Sequence, residues 1–184
     1  AHCVSGETED FVALMNETAE RLGMEHSHFA NPNGLDAEGH YSSARDMAIL
    51  TANALSNPDF RLIVSTASIT IGERYLSNHN KLLRLCEGCI GVKTGFTKAA
   101  GRTLVSAAQR EGMTLVCVTL NDGDDWNDHM SLLDHGFSAY RLETAVTGGR
   151  VLSSVLVCGG TSASVPLAAA EDLCYPLTGD EQLT

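Results

Sequence analysis

The sequence predicts an α+β fold, an antiparallel sheet carrying helices, and three observations point to it. Three strand candidates, at about 90–96, 102–109 and 113–120, follow one another with only Ala99-Ala100-Gly101 and Glu111-Gly112 between them. Connections that short join antiparallel neighbours. Segments of helical periodicity stand on either side of that run, at 8–22 and about 128–141. The chain, 184 residues with 43% hydrophobic and 19% charged, is long and apolar enough to bury a proper core.

Each element has its own signal. Phe11, Leu14, Met15, Ala19 and Leu22 follow the i, i+3, i+4 spacing of an amphipathic helix. Glu7, Glu9 and Asp10 suit its N-terminus and Gly23 its end. Residues 24–42 form a long connection with the turn dipeptides Asn31-Pro32 and Asn33-Gly34. Ser43 is placed as a helix N-cap, with Asp46 at the capping-box position, and this helix runs to about Leu55. Asn57-Pro58 breaks it, and a short helix follows through Phe60, Leu62, Ile63 and Val64. Residues 68–76 are β-rich and expected to be extended, and Asn78-His79-Asn80 is a polar loop. Met113–Leu120 is almost wholly apolar, which predicts a central strand. Trp126 and Asn127 lead into the helix of about 128–141. Residues 144–150 read as a linker, Val151–Cys158 and Ser164–Ala168 as two further strands, and the acidic tail 171–184 shows no periodicity.

Composition excludes several classes. A net charge of −11 gives no basic face for nucleic acid and no electrostatic attraction to anionic lipid. No apolar run approaches the ~18 residues of a membrane span. There is no basic stretch followed by an apolar one of the signal-peptide kind, in a chain that starts at Ala1. Six cysteines include one Cys86-x-x-Cys89 pair, which lacks the second pair or nearby histidines that a zinc site wants. His26, His28 and His40 are spaced loosely for a metal and read as loop histidines making local hydrogen bonds, so no metal and no cofactor is expected. A cysteine hydrolase using Cys86 or Cys89 with His79 fits no defensible spacing.

The chemistry centres on Gly91-Val92-Lys93-Thr94-Gly95-Phe96-Thr97. A strand lysine followed by a hydroxyl and a glycine suits a carboxylate ligand. The ammonium supplies charge, the hydroxyl a directional hydrogen bond, and the glycine room for a peptide against the strand. Alone, a lysine at a strand end is more often a solvated charge or an edge guard.

Four stretches carry a resemblance: Phe11–Asn16 with Leu22-Gly23-Met24; His28–Leu35 leading to His40–Ala44 and Asp46–Ala48; Gly91–Thr97 with Ala100-Gly101; and Asp125–His129 before Leu132-Leu133. Together they make the chain resemble the serine D-alanyl-D-alanine carboxypeptidases, low-molecular-mass penicillin-binding proteins of the sporulation-associated type. The resemblance implies the penicillin-binding-protein/β-lactamase-like transpeptidase fold. It also implies an acyl-enzyme mechanism built on Ser-x-x-Lys, Ser-x-Asn and Lys-Thr-Gly motifs. Carried onto this chain, it makes Lys93 catalytic and makes Lys93, Thr94, Gly95 and Phe96 substrate-binding, with the Phe96 N–H as half of an oxyanion hole. The implied partners are a peptidoglycan stem peptide ending in D-Ala-D-Ala and, in the intact enzyme, β-lactams. The implied location is extracytoplasmic, at a bacterial cell envelope.

The other two motifs are not in this sequence. The residues three before Lys81, Lys93 and Lys98 are Asn78, Ile90 and Gly95, so no Ser-x-x-Lys occurs, and no asparagine has a serine two places before it. The chain is therefore expected to be a fragment: residues 1–146 a partial catalytic domain without its first strands and nucleophile helix, and 147–184 a linker and the start of a small β-rich domain. Such a piece keeps a carboxylate site but is expected to be inactive alone; the alternative is a non-catalytic module binding cell-wall peptide or a partner. An exposed sheet edge would favour self-association.

Overall fold

A computed structural model describes residues 1–182. It divides into two compact units, the first of Ala1–Arg110 with Thr114–His135, the second of Glu111–Met113 with the chain from Gly136 onward. It is a mixed α and β structure with antiparallel sheets, as the sequence predicts.

The first unit opens with a short helix α1 (His2–Ser5) and the amphipathic helix α2 (Thr8–Arg21). The connection after it folds on itself. His28 and Tyr41 exchange backbone hydrogen bonds of 2.9 and 3.0 Å, and Asn16 accepts from the Phe29 N–H and donates to its carbonyl. Helix α3 (Ala44–Ala54) is capped by Ser43, whose hydroxyl accepts from the Asp46 N–H at 3.1 Å. The expected capping box is only half formed. The Asp46 carboxylate, 1% exposed, instead accepts from the His26 N–H and the Ser27 hydroxyl, at 2.8 and 2.7 Å, and so anchors the loop. Asn57 caps helix α4 (Pro58–Ser65), with proline in its first turn where a missing N–H costs nothing.

Residues 68–77 form a hairpin, not one extended run: β1 (Ser68–Ile71) pairs with β2 (Arg74–Ser77). Gly72, at φ +60°, makes the turn that β-periodicity alone does not announce. One turn of helix, α5 (Leu82–Leu85), then delivers the chain to β3 (Cys89–Thr97), β4 (Gly101–Arg110) and β5 (Met113–Leu120). Their order is β3-β4-β5, so the most apolar strand, β5, lies at an edge among the described residues. The strand buried through its middle is β4, where Leu104, Val105, Ser106, Ala107 and Ala108 are all 7% exposed or less. It pairs with strands on both sides and is covered by α3, so position in the sheet and not apolar content decides which strand is central. Helix α3 packs against β4, and α4 and α5 pack against β3. A Cβ on Gly91 would stand 2.9 Å from the Val64 carbonyl of α4, so this packing requires glycine there.

Helix α6 (Asp125–Ala139) begins three residues earlier than periodicity suggests. It is tied to the sheet by polar bonds as well as apolar contact. The fully buried His129 is hydrogen-bonded through Nδ1 to the Ser106 hydroxyl of β4 at 2.6 Å and through Nε2 to the Thr119 hydroxyl of β5 at 3.0 Å, one ring nitrogen donating and the other accepting.

In the second unit, β6 (Tyr140–Val146) pairs with β9 (Leu173–Thr178), and β7 (Val151–Leu156) with β8 (Ser164–Ala168). The stretch read as a linker is thus partly strand, and so is the tail read as aperiodic. Both find hydrogen bonds with a segment some thirty residues away, which local pattern does not report. No described helix is long and apolar enough to cross a membrane.

Candidate active site

Strand β3 builds the site, because its alternation and its glycine set what faces what. Lys93 and Gly95 project to one face and Thr94 and Phe96 to the other. All four line one cleft of about 590 Å³, together with His79, Arg102, Asp125 and Trp126. Lys93 and Gly95 are exposed, Thr94 is half-buried, and the Phe96 ring is 70% exposed. The Lys93 ammonium donates to the Thr94 carbonyl, which holds the charge beside the strand. Gly95 pairs with Thr103 across the hairpin, and a Cβ at 95 would collide with the Thr103 hydroxyl. The neighbouring strand alone is reason enough for glycine here. Among the described residues β3 pairs with β4 alone, so its other edge is open to an added strand.

The rest of the cleft was largely missed by sequence reasoning. Register sets Arg102 directly opposite Phe96. The Asp125 carboxylate, 5% exposed, receives its guanidinium through two bonds, Nη2 to Oδ1 at 2.6 Å and Nε to Oδ2 at 3.2 Å. Two parallel bonds fix the plane of the fork. Arg102 Cζ lies 5.7 Å from the Trp126 ring centroid, and Lys81 Nζ lies 5.9 Å from it. Both are within cation–π range. The first turn of α6 therefore forms a wall in which one acid and one indole hold two cations. Counting back from the short connection after Thr97 would have put residue 102 opposite 96; nothing local placed Trp126 there.

The strand's far end is also tied down. The Thr97 hydroxyl donates to Asp36 at 2.8 Å, joining β3 to the long loop. The loop histidines are spent locally. His28 Nδ1 is 2.7 Å from the Gly39 carbonyl, and His40 Nδ1 accepts the Ala30 N–H at 3.0 Å. No cluster of three metal-ligating side chains occurs among the described residues. Cys86 and Cys89 do not line the cleft, and burial pushes both thiols up, Cys89 to about 11. That is the opposite of an activated nucleophile.

With this geometry in hand, comparison with known proteins is informative. A family model described as D-alanyl-D-alanine carboxypeptidase matches residues 1–124. The D-alanyl-D-alanine carboxypeptidase DacF of Bacillus subtilis is 32% identical over 181 residues, covering 94% of this chain and 46% of that protein. DacC of Escherichia coli is 33% identical over 176 residues, covering 93% and 44%. Among solved structures, penicillin-binding protein 5 of Haemophilus influenzae superposes with a TM-score of 0.80 at 30% identity, over 98% of this chain and 54% of that one. The chain spans about half the length of the curated relatives it matches.

Proposed function

Because the chain belongs to the D-alanyl-D-alanine carboxypeptidase family, we propose that it is part of a serine-type enzyme that removes the terminal D-Ala from peptidoglycan stem peptides, at the cell envelope. The observation that carries this reading is one cleft containing Lys93, Thr94, Gly95 and Phe96 of β3, in a chain of this family. In the proposed role, the peptide lies along the open edge of β3. The Lys93 ammonium pairs with the terminal carboxylate, the Thr94 hydroxyl donates to it, and Gly95 leaves the backbone bare for the peptide. The Phe96 N–H faces the carbonyl under attack as one of two oxyanion donors. Arg102 lines the same cleft with its charge offset by Asp125, so Lys93 is the group left to pair with an anionic peptide end.

The attacking serine and its lysine are not supplied by this sequence, which holds no Ser-x-x-Lys. In this reading residues 1–146 act as the substrate-holding part of a catalytic domain, and 147–184 lead into a small β-rich one. The isolated chain then binds substrate without turning it over. A fluorescent penicillin tests this. No covalent label is expected on the chain, and a label retained through denaturing electrophoresis would sink the proposal that the nucleophile is missing.

A second reading, a non-catalytic module binding cell-wall peptide or a partner chain, is favoured by the same retained carboxylate site. The open strand edge and exposed side chains such as Leu156, 82% exposed, suit self-association. Sedimentation and peptide titration test this reading together: a dispersed monomer with no affinity for a peptide ending in D-Ala-D-Ala would end it.

A further inference from the structure

Four residues before Lys93, the chain makes a turn that no part of the proposed function uses. Its ends are Cys86 and Cys89, both free thiols. The Cys89 N–H donates to the Cys86 carbonyl at 3.2 Å, so the cysteines are residues i and i+3 of a hydrogen-bonded turn. Such a turn keeps its end Cα atoms within about 7 Å, the outer range of a disulfide. Gly88 supplies φ +73°, which few other residues adopt. A Cβ there would collide with the Gln109 carbonyl, while the Gln109 N–H donates to the Gly88 carbonyl at 2.9 Å.

Arg110 grips the turn from the side. Its Nε donates to the Glu87 carbonyl at 3.1 Å, its Nη2 lies 3.8 Å from Cys86 Sγ, and it pairs with Asp134 at 2.8 Å. The turn is thus built to one conformation before any bond joins its ends.

We infer that Cys86 and Cys89 form a reversible disulfide across this turn, made by exchange with a small-molecule or protein disulfide. Cys89 is the more accessible of the two, and Cys86 is 9% exposed. The Cys89 thiolate, a small fraction of a thiol whose pKa burial pushes up to about 11, attacks one sulfur of the oxidant and releases a thiolate, so exchange is slow at neutral pH and speeds up as pH rises. The Cys86 thiolate then attacks Cys89 Sγ and releases the second. The two protons lost by the cysteines end on the two released thiols, so both cysteines are oxidised and one disulfide is reduced to two thiols. The bond closes a ring of only a few residues, so it adds little to global stability. Its consequence is local, a covalent clamp at the root of β3.

The test uses the full chain equilibrated with mixtures of reduced and oxidised glutathione, quenched with iodoacetamide and digested with trypsin. Cleavage after Arg84 and Lys93 releases Leu85–Lys93, which carries both cysteines and no others. The expected product is this peptide unalkylated and about 2 Da lighter than its dithiol form. The native turn should favour the bond at least about tenfold over the same chain in urea, an offset of about 30 mV in reduction potential. Alkylation of both cysteines at every glutathione ratio overturns the inference. So does linkage of either to glutathione or to another cysteine, or an equilibrium no better than that in urea.

Discussion

The two units of the chain use β-structure in opposite ways. In the first, β4 is buried through its middle, and even its polar side chain is satisfied, Ser106 bonding to the buried His129. In the second, all six residues of β7 and all five of β8 are exposed, Val151, Leu152 and Leu156 among them. Hydrogen-bonded pairing exists in both; apolar burial is concentrated in one. Paired backbones alone make a hairpin marginal in water, and a covered face is what makes a sheet rigid. The cleft lies on the covered sheet, whose packing fixes the geometry of β3.

The largest effect should come from opening the covered core. Leu104→Ala removes a fully buried side chain and should cost about 2–5 kcal/mol in urea unfolding. A loss under about 1 kcal/mol would mean that the first unit is not the stable one. Next, Ser106→Ala strips a buried partner from His129 and should cost about 1–3 kcal/mol by the same measurement. Gly95→Val drives a side chain into Thr103 and should cost about 1–3 kcal/mol while distorting the cleft. At the other extreme, Leu156→Ser in the uncovered hairpin should stay within about 0.5 kcal/mol of wild type. A large loss there would erase the contrast between the units.

Acid should act on the first unit through His129. Burial holds its imidazole below the ordinary value of 6.5, so the folded state keeps it neutral. The unfolded chain takes up a proton as pH falls through that value and the folded chain does not. The stability it contributes is therefore full above the unfolded pKa and is lost as pH drops below it. Thermal melts from about pH 8 to pH 5 should show Tm falling on the acid side. His129→Gln should flatten that slope.

The contrast also explains what could be read from the sequence. Helices α2 and α3 and the three-strand meander announce themselves, because spacing, caps and short connections are local signals. The Lys93–Phe96 stretch stands out for the same reason, as a contiguous strand motif set within four family stretches; its role in holding substrate is our proposal. What was not legible depends on register and distance. The central place of β4 depends on its pairing with both β3 and β5, which hydrophobic content does not report. The pairing of β6 with β9 joins segments far apart in sequence. The Arg102–Asp125–Trp126 wall needs a strand and a helix start to meet. The Asp46 carboxylate looked like a helix cap and instead holds a loop reached only by tertiary folding.

The central claim is that β3 presents a carboxylate-binding edge through Lys93. It is tested most directly by NMR titration of the chain with an N-acylated peptide ending in D-Ala-D-Ala. The account predicts saturable shifts at residues 93–96, and at least about tenfold weaker binding in Lys93→Ala, the loss expected for one charge-assisted hydrogen bond. Equal affinity of the two proteins, or shifts confined to other surfaces, would contradict it.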